Sequence, residues 1–281
     1  MWIELLKKIF LEYHASELSL AVYRVAMGLI LFFESFRIIK ISPSLFGHDG
    51  IFPETNWRSW HAKLRKFTMF NWFGGNNKWV QTLMIGQCLG AIMLTLGLFT
   101  KLVTIFLFLN FISRFNRNYL VCHGGDNVAK FCLFLMIFSR IGSVYSLDHY
   151  FNISFLNPEG DWSIRLIQIQ VVAIYFHTVR WKLNRKAWVD GKAFWAALDH
   201  SPHARIPAKS AAIFGRPLIN ATLTYSTLVM QLTLPVLLLD PVLGIYGAAV
   251  MVALHISIEL FFSMKVFSYL MLAQTILFLH L

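Results

Sequence analysis

Long apolar runs alternate along the chain with short polar connections. The runs fall at about residues 18–39, 79–98, 100–113, 128–147, 163–181, 219–239, 242–262 and 266–281. Most of them approach the ~20 residues that an α-helix needs to cross ~30 Å of hydrocarbon. The pattern therefore predicts an all-α, polytopic integral membrane bundle of about seven or eight segments. The run at 100–113 is short before Arg114, and 266–281 lacks a charge on its far side, so either is a possible partial crossing. Residues 1–17 are amphipathic and mix acidic with basic side chains. They lack the compact apolar core and small-residue cleavage site of a signal peptide. An interfacial helix is expected over 1–17, followed by a single membrane domain over 18–281.

Composition agrees with the pattern. Of 281 residues, 57% are hydrophobic and only 14% charged, too few polar groups to cover a soluble fold of this size. The formal charge of +11 does not point to nucleic acid, because the Lys and Arg residues sit between apolar runs rather than on one polar domain. The lipid bilayer is the expected partner. The connections 40–78 and 182–216 are the basic ones, which by the positive-inside rule places both on the cytoplasmic side. Trp57, Trp60, Phe67, Phe70, Trp72 and Phe73 crowd the first of these and suit the head-group level. Cys88, Cys122 and Cys132 show no paired spacing, so no disulfide framework and no metal site is expected. There is no internal repeat, and no glycine pattern of a nucleotide-binding loop.

Ionisable residues inside apolar runs are the candidates for chemistry, because each is costly in lipid unless it faces the protein. Arg24 stands in the first run, either as a tie to a neighbouring helix or as part of a site. His255 and Glu259 are four residues apart and share a helix face, so they could bond each other or serve a cavity. The segment from Arg114 to Asn127 gathers Asn118, His123 and Asp126 around Gly124-Gly125. That mixture resembles irregular backbone lining a cavity, although Asp126 or Asn127 could also cap the next helix. His177 precedes Lys182, which lies where an apolar helix gives way to a basic, aromatic loop. A lysine held partly in apolar surroundings releases its proton more easily than a solvated one. Lys182 is therefore a candidate base.

Several of these residues recur in a fixed order. Tyr23-Arg24-Val25, His48-Asp49-Gly50-Ile51-Phe52-Pro53, Asn116-Arg117-Asn118 and Gly124-Gly125-Asp126 come first. Tyr145-Ser146-Leu147-Asp148, Gln168-Ile169-Gln170, Lys182 and Trp188-Val189-Asp190-Gly191 follow. His255, Leu260-Phe261 and Phe267-Ser268-Tyr269-Leu270-Met271-Leu272-Ala273 complete the series. In this order the chain resembles the membrane domain shared by vitamin K-dependent gamma-carboxylase and its bacterial relatives, the horizontally transferred transmembrane (HTTM) family. The resemblance spans nearly the whole sequence.

The resemblance implies an HTTM-like transmembrane domain with carboxylase-like (lyase) or quinol-dependent oxygenase chemistry on a lipophilic substrate. Its cofactor would be a reduced naphthoquinone of the vitamin K kind or another quinol. Lys182 corresponds to the lysine that deprotonates the quinol, with His255 and Asp126 as catalytic partners. Arg24, Asn118, His123, His177 and Glu259 would line the pocket. A peptide substrate or a partner membrane protein is implied, as is a bacterial inner (cytoplasmic) membrane, with Lys182 on its exoplasmic side. The chain departs from the carboxylase in having Gly124-Gly125-Asp126 where that enzyme has an Asn-His pair, and one more residue before Trp188. The carboxylase's extramembrane domain, which binds the protein substrate, has no counterpart in these residues. The alternative reading is a non-enzymatic membrane protein that assists peptide export or maturation, its polar residues only packing helices.

Overall fold

The structure, a computed structural model, describes residue 4 and residues 13–53, 67–153, 161–206, 211–240 and 242–279. The interfacial helix expected over 1–17 falls outside these residues except at 4 and 13–17, as do Trp57 and Trp60. Eight longer helices account for the eight apolar runs: α1 Glu17–Ile38, α2 Asn77–Leu96, α3 Thr100–Arg117, α4 Gly124–Met136, α5 Trp162–Leu183, α6 Pro217–Leu239, α7 Gly244–Phe261 and α8 Val266–Thr275. The described residues form no strand, only an isolated bridge between Ala204 and Phe262.

Among the described residues, four helices are long and apolar enough to cross a membrane, namely α1, α2, α6 and α7. The expected seven or eight crossings are not all of that kind, for physical reasons visible in each helix. α3 carries Lys101, Arg114 and Arg117 within its 18 residues. α4 has 13 residues, about 20 Å of helix, too short for the hydrocarbon. α5 has 22 residues but holds Arg165, Arg180 and Lys182 together with two glutamines and His177. α8 has 10 residues before a 3₁₀ turn over Ile276–Phe278.

The chain divides into two compact units, Met1–Arg165 and Leu166–His280. In the first, α1 packs on α2 at unusually close range. A Cβ on Gly28 would stand 2.7 Å from the backbone nitrogen of Thr95 and 2.9 Å from the carbonyl of Ala91. With small residues on both sides the two backbones approach closely, which is how membrane helices gain packing where lipid offers no hydrophobic drive. α2 starts on Asn76, whose side chain accepts from Trp79 N at 2.9 Å, and stops at Gly97, whose φ of +69° suits a residue without Cβ. Asp148 caps α3 from a distance: its two oxygens accept from Phe99 N and Thr100 N, both at 2.7 Å. A core of Ile38, Phe46, Met69, Phe70, Val80, Leu83 and Met84 closes the end of α1 over the loop that follows it.

The second unit is built from α5 to α8 around Val171, Tyr175, Leu234, Leu238, Met251, Leu254, Met271 and Phe278. Pro217 opens α6 at its first turn, where its missing N–H is harmless. Pro235 lies inside the same helix, so the carbonyl of Gln231, four residues earlier, has no intrahelical donor. Polar residues on α6 at 220, 224, 227 and 231 make one stripe, and the outward faces of α6 and α7 expose Val229, Val236 and Ile245 as lipid-facing residues would be.

The Gly28 contact gives the first test. Gly28→Val places a branched side chain against Thr95 backbone that cannot retreat, so α1 and α2 must separate. We expect a destabilisation of about 1–3 kcal/mol, read as a lower thermal midpoint in detergent. Gly28→Ala should show a smaller shift of the same sign.

Candidate functional site

Within the first unit, the polar segment that follows α3 acts as a set of ties. Arg114, almost fully buried, forms two parallel hydrogen bonds to Glu34 on α1, Nη1 to Oε2 at 3.0 Å and Nη2 to Oε1 at 2.7 Å. Its Nη2 also reaches Asp126 Oδ1 at 3.2 Å. Gln87 on α2 donates to Glu34 Oε2 at 3.3 Å and to Ser35 Oγ at 2.7 Å. The next residues hold the loop between α1 and α2 by its carbonyls. Arg117 donates to Phe52 O at 2.7 Å and to Gly47 O at 2.6 Å, Asn118 to Leu45 O at 2.8 Å, and Asn116 to Phe67 O at 2.8 Å.

Two sequence candidates thus have visible structural duties. Asp126 Oδ2 accepts from His123 N at 2.7 Å and completes the start of α4, while its other oxygen faces Arg114. Asn118 Oδ1 accepts from Leu120 N at 3.2 Å and so fixes the 3₁₀ turn of Tyr119–Val121. The His123 side chain is exposed. Arg24 is buried and donates through Nη2 to Tyr145 O at 2.5 Å. A Cβ on Gly97 would overlap the guanidinium where it now lies, and the glycine's positive φ of +69° also disfavours a side chain there.

In the second unit, residues 168, 175 and 182 of α5 are seven apart and so fall on one stripe, two turns from one to the next. Each meets a different neighbour. Gln168 Nε2 donates to Leu277 O at 2.6 Å, Tyr175 OH meets His255 Nε2 at 2.9 Å, and Lys182 Nζ donates to Gln231 Oε1 at 2.8 Å. His177 lies on the other side of the helix and is exposed.

Lys182 borders a cavity of about 350 Å³, within the ~300–1,000 Å³ common for small-molecule sites. Its walls are mainly Trp188, Phe194, Met230, Phe261, Phe262 and Met264. Among its described lining residues Lys182 is the one ionisable group. The hydroxyls that share the lining are largely occupied: Thr227 donates to Leu223 O and Ser257 to Ala253 O within their own helices.

The Trp188-Val189-Asp190-Gly191 motif explains how the amine is held. Gly191, at a φ of +70°, ends the short helix Lys186–Val189 in a Schellman turn, with Lys192 N bonded to Ala187 O at 2.8 Å and Gly191 N to Trp188 O at 3.3 Å. A Cβ on Gly191 would meet Ala221 Cα at 3.2 Å, so the glycine also lets the turn lie directly on α6. Tyr225 OH then bonds Val189 O at 2.8 Å. Trp188 is left with its ring centroid 4.2 Å from Lys182 Nζ, a cation–π contact. Lys182 lies outside the four spans, and burial beside apolar walls pulls its ammonium down from the ordinary value to about 8.

His255 and Glu259 do not bond each other, although they share a helix face. The helix carries them into different surroundings. His255 is buried against Tyr175, and its Nδ1 meets no described partner. Glu259, one turn later, is at the helix end, where it binds Arg205 and accepts from Lys265 N at 3.0 Å. Neither residue lines the Lys182 cavity, whereas Leu254 and Ile258 from the same helix do. Reasoning from sequence missed Gln231, Tyr175 and Glu34. The signal for Gln231 was the polar stripe on α6, and for Glu34 its position as a carboxylate inside an apolar run.

The sequence profile of the HTTM domain matches residues 13–281. No curated protein and no solved structure matches the chain.

The Glu34–Arg114 pair yields a further test. Arg114→Ala leaves the Glu34 carboxylate buried without its main donor, and we expect a loss of about 3–5 kcal/mol in unfolding experiments in detergent. The double variant Glu34→Gln with Arg114→Met removes both charges and should recover part of that loss.

Proposed function

The chain belongs to the HTTM domain family, and on that premise we propose that it is a membrane enzyme in which Lys182 is the general base toward the hydroxyl of a lipophilic quinol. The observation that carries this reading is the cavity itself: one amine, the one ionisable group among the described lining residues, faces about 350 Å³ of mostly apolar space. A flat bicyclic quinol fits that lining, with aromatic and methionine walls for its faces and the amine for one of its polar edges. Once deprotonated, such a quinol reacts with dioxygen and supplies the strong base that carboxylase-like chemistry requires.

The residues of this chain bind, orient and move one proton. When the substrate O–H bond breaks, the proton passes to the Nζ lone pair of Lys182, giving an ammonium that rests against the Trp188 ring and donates to Gln231. A lysine pulled down to about 8 carries an appreciable amine fraction near neutral pH, which an unperturbed one near ~10.4 does not.

A second reading has its own support. Asp126, Asn118 and Arg24 are occupied in caps and ties, as expected of a non-enzymatic membrane protein whose polar groups pack helices, here one that assists peptide export or maturation.

Oxygen uptake driven by a reduced naphthoquinone in reconstituted vesicles separates the two readings. The wild-type rate should rise with pH through about 8 as the amine form of Lys182 is populated. Lys182→Ala removes the base and Lys182→Arg replaces it with a group that keeps its proton, so each should abolish uptake. Full uptake by Lys182→Arg would reduce Lys182 to an interfacial anchor and give the second reading the lead.

A further inference from the structure

We infer that Gln231 is the positioning residue that keeps Lys182 able both to hold and to release a proton. The inference builds on the reading of Lys182 as base. It comes from geometry: Gln231 is buried on α6, and its Oε1 is the acceptor for Lys182 Nζ at 2.8 Å, with the Trp188 ring 4.2 Å from the same nitrogen. The amine thus has a neutral amide and an aromatic face as partners.

A neutral amide is the partner such a base needs. Toward the ammonium, the carbonyl oxygen of Gln231 accepts an N–H. Toward the free amine, a flip of the same terminal amide turns an N–H to the nitrogen lone pair. Both protonation states therefore keep a hydrogen bond in the same place, and Nζ stays aimed at the cavity while its proton comes and goes. A carboxylate at this position would stabilise only the ammonium, and an apolar side chain would satisfy neither form. Pro235 adds to the setting, because it leaves the main-chain carbonyl of Gln231 without its helical donor and loosens α6 at that turn.

Among the described residues no other charge takes over this role. α6 carries no Asp, Glu, Lys, Arg or His. On α7, Glu259 is engaged by Arg205 and Lys265 N, and His255 by Tyr175. On the helix Ala193–His200, Asp199 and His200 lie 3.6 Å apart, and on α5 and the turn after it Arg185 stacks on Trp181. Arg180, Lys186, Asp190 and Lys192, on the same stretches, are exposed and absent from the cavity lining, as is Lys265 before α8.

The test measures the proton affinity of Lys182 without asking for turnover. Detergent-solubilised protein is treated briefly with an amine-selective acetylating ester over a pH series, and acetylation at Lys182 is quantified by peptide mass spectrometry. Gln231→Glu should raise the midpoint of reactivity by one unit or more, a tenfold or greater loss of labelling below the midpoint, because an anion at this distance favours the ammonium. Gln231→Met, close in volume and without an acceptor for the ammonium, should lower it. An unmoved midpoint in either folded variant overturns the inference. A purely structural role would change yield or thermal midpoint and leave the titration in place. If the midpoints move as expected while the wild type shows no quinol-dependent oxygen uptake, the Gln231 assignment stands and the quinol reading falls. Uptake with unmoved midpoints brings down the Gln231 assignment alone.

Discussion

A buried guanidinium keeps its charge and must find acceptors for its donors, and the first unit is arranged around that requirement at Arg114. Glu34 supplies the match from α1, Asp126 adds a second oxygen from the start of α4, and Gln87 on α2 secures Glu34 from the other side. One buried cation thereby joins four helices. Such a pair does little for net stability, because desolvation offsets much of the attraction, but it penalises any arrangement that separates its members. It specifies which helices meet and in what register. The close approach of α1 and α2 at Gly28 supplies packing that the charges do not.

The second unit treats its half-buried lysine differently. Among the described residues Lys182 meets no carboxylate, but an amide oxygen, an indole ring and apolar walls. Arg114 shows what a structural cation looks like in this chain: a bidentate pair in which a charge offsets a charge. Arg117 is buried too, and two loop carbonyls accept from its guanidinium. Lysine is the side chain whose protonation responds to burial, and it stands at the position where no anion steadies it. The difference between two basic residue types thus separates the groups that hold the fold from the one we propose as a base.

Much of the helical layout was legible in the sequence, because apolar periodicity and length act locally: each of the eight runs became a helix. The run at 128–147 stops at Met136 instead of continuing, since Ser139 to Ser146 offer turn-forming side chains and Gly142 rather than further apolar spacing. Span status was harder to read, because it depends on how a few polar groups are distributed within each helix. For the site, the sequence showed which residues were out of place in an apolar run but not what would meet them. Helical spacing put His255 and Glu259 on one face, yet their partners, Tyr175 and Arg205, come from segments 80 and 54 residues away. Gln231 stood in a legible polar stripe, but its meaning resided in a contact 49 residues distant.

The Trp188-Val189-Asp190-Gly191 motif shows how a short sequence pattern can place one side chain through contacts made by its other members. Gly191 permits a left-handed turn and a close approach to α6, Val189 offers its carbonyl to Tyr225, and these two contacts leave little choice for where Trp188 points. Changing the glycine would move the turn off α6, and the indole that walls the cavity with it, although Gly191 itself does not line the cavity. Residues that never contact a ligand can therefore be as restricted as those that do, and the restriction acts through the geometry around a single nitrogen. Lys182 depends on three such constraints at once: the stripe on α5 that aims it, the amide on α6 that receives it, and the turn that brings the indole over it.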